Sequence, residues 1–213
     1  MVDYQRQLEQ ISQKAIALFD EKEKAREHSL SLHRQIIKLS GNAIKLMHRG
    51  EFEEADKLLA QAQAFIESLS SLLHTHPDVF YGGFVQNAQK EYTEARSFQA
   101  IILSKPIPSM EELKVDIAPY LNGLGEAIGE LRRYVLDSLR NGNFETIENT
   151  LQIMDEIYYV LCAIDYPDAL TLGLRRTADI ARSLVEKTRG DLTTSLQQKR
   201  LEEALKNHKL HSS

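Results

Sequence analysis

Apolar residues recur every three or four positions through most of the chain, and no stretch alternates with the two-residue period of a strand. Leu8, Ile11, Ala15, Leu18, Phe19, Leu30, Leu32, Ile36, Leu39 and Ile44 mark one long helix over residues 3–48, with Gly41 inside it. The densely charged stretch DEKEKAREH within it reads as solvated. Gly50 breaks this helix, and a second follows over residues 51–73 with acidic residues in its first turn, where the helix dipole favours them. HTHPDVFYGG is a connection, because Pro77 and Gly82-Gly83 stop helices on both sides. Residues 84–104 form a third helix, KPIPS a loop, and Ser109 with Glu112 a capping box for a short fourth. Ala118-Pro119 starts a fifth, ending near Asn141-Gly142-Asn143, and residues 144–163 form a sixth. Pro167 suits the first turn of a seventh, which ends near Arg189-Gly190. The expected architecture is all-α: one seven-helix bundle over residues 1–190, then a polar tail over 191–213, a frayed helix or disordered.

Two helices depart from a simple apolar-in, polar-out pattern. On the third, Phe84, Ala88, Glu91, Ala95, Phe98 and Ile102 share one face, which places the Glu91 carboxylate in an apolar stripe. A core-facing carboxylate costs several kcal/mol unless it is protonated, paired or bound to a cation. Glu94 lies one turn away. On the fifth helix, Ile117, Leu121, Leu124, Ile128, Leu131 and Val135 form an apolar stripe, with Gly123, Glu126, Ala127 and Glu130 opposite. A face of small and acidic residues lets a neighbouring helix approach closely and aims two carboxylates inward, as in the centre of a bundle. If the two helices are neighbours, four carboxylates converge: Glu91, Glu94, Glu126 and Glu130. Such a set suits Mg²⁺ or Mn²⁺, which prefer carboxylate and water oxygens. The competing reading is ordinary: Glu pairs at this spacing are common on helix surfaces and meet Lys or Arg there. Spacing alone leaves both open, but it sets aside a di-iron site, since neither Glu91 nor Glu126 has a His three residues on.

Composition narrows the class without naming a chemistry. The 213 residues suit one domain, and 42% hydrophobic with 27% charged is ordinary for a globular protein. Five prolines, ten glycines and no tryptophan accompany many helix formers. A single cysteine, Cys162, excludes an intrachain disulfide and a Cys-type zinc site, and its apolar neighbours suggest a buried, inert thiol. No apolar run reaches the ~20 residues of a membrane span and no signal-peptide core opens the chain, so the expectation is a cytoplasmic protein without a membrane partner. His74 and His76 flank Pro77 and read as a solvent-exposed loop pair rather than zinc ligands. No nucleophile triad, Walker loop or GxGxxG pattern occurs. The net charge of −5 argues against coating nucleic acid with the whole surface but permits local basic faces. The candidates are Arg34 and Lys38 on the first helix, Arg132 and Arg133 just after the second acidic pair, and Arg176 on the seventh. An arginine near a metal–carboxylate site is what a phosphodiester substrate needs.

Four stretches carry a resemblance over nearly the full length: HRQIIKLSGNAIKLMHRGEFEEADKLL, FVQNAQKEYTEARSFQAII, APYLNGLGEAIGELRRYVLDSLRNGNFE and DYPDALTLGLRRTADIARSLVEKTRGDLT. Together, the YLxGLxxxxGELxR core, the turn after it and the closing KxRG resemble the translin/TRAX family; here the turn departs to DSLRNGNFE. The resemblance implies a seven-helix protomer in a hollow, roughly octameric barrel that binds single-stranded or partly duplex nucleic acid inside, RNA above all and single-stranded DNA as well. TRAX-type members carry an acidic set and act as Mg²⁺-dependent endoribonucleases; translin-type members lack it and mainly bind. Glu91 and Glu94 match the first TRAX pair, and Glu126 and Glu130 the second, with Glu126 where the family has Asp. That change lengthens the side chain by one methylene. The resemblance places the chain on the catalytic side, as a prokaryotic or archaeal homo-oligomer, with a translin-like binding module without catalysis as its rival.

Overall fold

The computed structural model describes residues 3–142 and 147–211, and every regular element among them is a helix. Contacts group the chain into two units. The first is Met1–Tyr92 with Ser109–Asp116, and the second is Thr93–Pro108 with Ile117–Ser213.

In the first unit, α1 (Tyr4–His48) and α2 (Phe52–Ser70) form a helical hairpin. Asp3 caps α1 by accepting a hydrogen bond from the Arg6 amide. Gly50, at φ 80°, reverses the chain in a conformation that costs other residues a Cβ clash. Leu32, Ile36, Ala43, Ile44 and Met47 of α1 and Ala55, Leu59, Ala62, Ile66 and Leu69 of α2 are buried. Each large side chain among them contributes roughly 1.5–3 kcal/mol relative to exposure. The hairpin is lopsided: at 1.5 Å per residue, the 45-residue α1 is more than twice as long as the 19-residue α2. The apolar stripe of α1 therefore runs on uncovered, and Tyr4, Leu8, Ile11, Ile16, Leu18 and Phe19 are exposed within the chain.

The expected second helix is interrupted at Ser71; α3 (Leu72–Thr75) and α4 (Pro77–Phe80) follow it, so the expected connection is itself partly helical. His76 ends α3 with Nε2 3.8 Å from Glu21 and its side chain only 15% exposed, so it is not the solvated residue expected. The His74 side chain lies outside the described residues. Then come the first half of α5 (Phe84–Ile102) and α6 (Met110–Leu113). The capping box of α6 is present in both directions: Ser109 Oγ accepts from the Glu112 amide, and the Ser109 amide donates to Glu112 Oε2.

The second unit comprises the rest of α5, α7 (Ile117–Arg140), α8 (Ile147–Cys162), α9 (Asp168–Thr171) and α10 (Leu174–His211). α7, α8 and α10 pack pairwise on one another. Leu121, Leu124, Ile128, Leu131 and Val135 are buried, and so are Gly123 and Ala127 opposite, as expected of a central helix; Ile117 is exposed. The expected Asn143 cap and the start of the sixth helix at residue 144 lie outside the described residues.

Two expectations fail in this unit. Cys162 is exposed, because the buried face of α8 is Ile147, Leu151, Met154, Ile157 and Leu161, and residue 162 falls one step round the helix. The thiol instead lies beside Tyr158, one turn back, and its proximity raises that phenol above its ordinary pKa. The last helix does not stop at Gly190: α10 opens after Leu172 (φ 54°) and Gly173 (φ 82°) and continues to His211. A mid-helix glycine costs only about 1 kcal/mol, which docking beyond it outweighs: Leu192 is buried, and Asp191 pairs with Arg132 of α7 at 2.8 Å.

Candidate metal centre and nucleic-acid interface

The carboxylate site starts from α5, which is buried almost all round. In the first unit, Tyr92 is fully buried and donates from its hydroxyl to Gln63 Oε1 at 2.5 Å, while buried Gln89 accepts from the Asp116 amide at 3.4 Å. In the second, Phe98 meets Tyr134 of α7 edge-on, centroids 6.5 Å apart. Lys90, Glu91, Glu94 and Arg96 remain half-buried. Glu91 is thus not the core carboxylate its stripe suggests. Ala88, Ala95 and Phe98 of that stripe are buried, but the Glu91 side chain keeps 29% of its exposure. Water therefore relieves part of its desolvation cost.

Glu91 and Glu94 are held one turn apart by α5 itself, and Glu126 comes from α7. One carboxylate oxygen from each of the three lies within 4.8 Å of the others. Two unit charges about 5 Å apart repel by roughly 3 kcal/mol at an effective dielectric near 20, before further screening by water at half-exposed groups. Three such charges therefore favour any cation that can enter. Lys90 Nζ lies 3.7 Å from Glu91 Oε1. Glu130 is half-buried and is not among the three; its Oε2 lies 4.0 Å from Arg133. The expected four-fold convergence is three-fold, because Glu130 sits one further turn along α7 than Glu126.

The basic candidates fall into two kinds. Arg132 is half-buried, with one guanidinium nitrogen on Asp191 and the other donating to Thr188 Oγ1 at 3.0 Å, so it ties α7 to α10. Arg34, Lys38, Arg133 and Arg176 are exposed.

No protein-family model matches the chain. An uncharacterised protein of Methanocaldococcus jannaschii is 35% identical over 187 residues, covering 87% of this chain and 82% of that protein. The protein named AfC3PO, solved alone and in complex with duplex RNA, is 33% identical with a TM-score of 0.82, covering 89% of this chain and 97% or 98% of its own. Apo-NeC3PO is 25% identical at a TM-score of 0.74, covering 92% of this chain and 98% of its own. The chain belongs to the translin/TRAX family.

The YLxGLxxxxGELxR stretch that carries the translin/TRAX resemblance is α7, and its less conspicuous residues build the support behind Glu126. Asn122 is buried with its amide fully used: Nδ2 donates to the carbonyls of Ala118 and Thr171, and Oδ1 accepts from Thr177 Oγ1 at 2.6 Å. At Gly125 a Cβ would overlap the Thr177 methyl and meet Leu161 Cδ1 at 3.0 Å. Sequence reasoning passed over Asn122, Gly125 and Lys90. Only Lys90 carried a signal, standing four residues before Glu94 on one helix face. The Glu126 methylene does not keep its oxygen out of the carboxylate group.

Proposed function

We propose that the protein is a TRAX-like, divalent-metal-dependent endoribonuclease working as a homo-octamer, and the carboxylate group of Glu91, Glu94 and Glu126 carries this reading. Its donor set is all hard oxygen, which fits Mg²⁺ or Mn²⁺ and not a softer ion. An ion held there would supply charge neutralisation at a phosphodiester and a water activated near neutral pH. The chain's own contribution is positioning. Arg132 locks α7 to α10 and so holds the Glu126 backbone. Arg133 and Arg176 steady the substrate backbone, Glu130 orients Arg133, and Arg34 with Lys38 adds sequence-independent phosphate contacts. RNA as substrate is supported by the related AfC3PO, solved with duplex RNA. Assembly is supported by the uncovered apolar stripe of α1, which in a lone chain would face water.

The rival is a translin-like module that binds nucleic acid without cleaving it. The ion pairs Lys90–Glu91 and Arg133–Glu130 favour it, since they show the acidic residues meeting cations of the chain itself. End-labelled single-stranded RNA and a duplex with overhangs, incubated with Mn²⁺, Mg²⁺ or EDTA beside Glu126→Gln, separate the two. Metal-dependent fragments absent with EDTA and with E126Q are expected. Retarded but intact RNA in every lane establishes the binding module instead.

A further inference from the structure

We propose that the open face shared by α7 and α10 is the track for an RNA phosphate backbone, with Lys187 as one of its contacts; this rests on the RNA-binding reading above. α7 and α10 run parallel, since Gly125, Gly129 and Arg132 of the first meet Thr177, Leu184 and Thr188 of the second. In two parallel helices packed face to face, one step forward on one and one step back on the other turn to the same side. One step forward on α7 stand Glu126, Glu130 and Arg133; one step back on α10 stand Arg176, Ser183 and Lys187. These residues therefore share one side of the pair. The other side is taken by α8, whose Leu161 lies against Gly125 and whose Asp155 pairs with Arg189 of α10.

The cations of α10 divide between the two sides. Arg175, Arg182 and Arg189 recur every seven residues on the α8 side, and each meets a carboxylate: Asp165 at 2.9 Å, Glu186 at 2.9 Å, and Asp155. Arg176 and Lys187 are exposed, and no carboxylate among the described residues pairs with either. A phosphate must displace a carboxylate to reach the first three, but only water and counter-ions to reach these two. Three helical turns separate Arg176 from Lys187, about 16 Å along α10, so each can meet its own phosphate. Ile180, 52% exposed, lies between them and offers the strand an apolar surface. The match of Gly125 to Thr177 and of Arg132 to Thr188 puts Glu126 and Glu130 at levels between the two cations. A strand held by both therefore passes beside the carboxylates of α7.

Fluorescence anisotropy of a labelled single-stranded RNA, in EDTA and over a salt series, tests the track on the full-length protein. Lys187→Ala should weaken binding and flatten the salt slope by about 0.7, one contact's worth, while Lys187→Arg keeps the slope. Arg182→Ala, on the α8 side, should leave the slope unchanged. Light scattering follows the mass of each variant. An unflattened slope in K187A, or equal flattening in R182A, overturns the track while RNA binding itself stands. A changed mass in K187A overturns it in favour of a contact between copies of the chain. Failure of the wild type to retain RNA overturns the track together with the reading it rests on.

Discussion

The residue beside Glu126 matters as much as Glu126. Gly125 sits where α7 crosses Thr177 of α10 and Leu161 of α8, with no room for a Cβ. The Thr177 methyl cannot easily turn away, because its hydroxyl is held by Asn122 Oδ1 and its χ1 is stiff. Gly125→Ala should therefore destabilise by roughly 1–3 kcal/mol through overpacking, despite alanine's better helix propensity. Urea unfolding measures this, and an unchanged or higher midpoint would show that α10 yields without strain. The carboxylate pattern was legible in the sequence because the acidic pairs interrupt a period that composition alone would keep apolar or small. Gly125 was not: a glycine's crowding belongs to a neighbour far along the chain, and no local period marks it.

At the element scale, local signals located helices well and failed where packing overrode them. Gly50 and the Ser109–Glu112 box act within one turn, so the sequence showed the end of α1 and the start of α6. Gly190 sends the same kind of signal, yet α10 runs through it. The deciding groups, Arg132 and Thr188, lie 59 and 3 residues from Asp191, a pairing invisible to a local reading. Cys162 failed for a related reason: apolar neighbours in sequence are not neighbours on a helix face. The part of α10 just past Gly190 should then be structural and its far end dispensable, since Leu201 and Leu205 are exposed. Truncation after residue 200 should leave the unfolding midpoint near wild type. Truncation after residue 190 removes Leu192 and Asp191 and should cost about 2 kcal/mol or more. Equal stability of the two truncations would mean that the segment past Gly190 adds no packing.

On the scale of the whole molecule, a chain of net charge −5 must bind a polyanion through local basic residues or not at all. Arg133 and Arg176 are two of the exposed cations of the second unit, whereas Arg132 already spans Asp191 and Thr188. Phosphate contacts release counter-ions, so log Kobs for single-stranded RNA should fall linearly with log salt, by about 0.7 for each phosphate neutralised. Arg133→Ala with Arg176→Ala should weaken binding to unrelated RNA sequences alike and flatten the salt slope by roughly 1.4, two contacts' worth. Fluorescence anisotropy in EDTA reads both quantities without cleavage. A weaker affinity with an unflattened slope would place these arginines in the fold or the assembly rather than on the phosphates. Loss confined to certain sequences would make them readers of bases, against the backbone-directed binding proposed here.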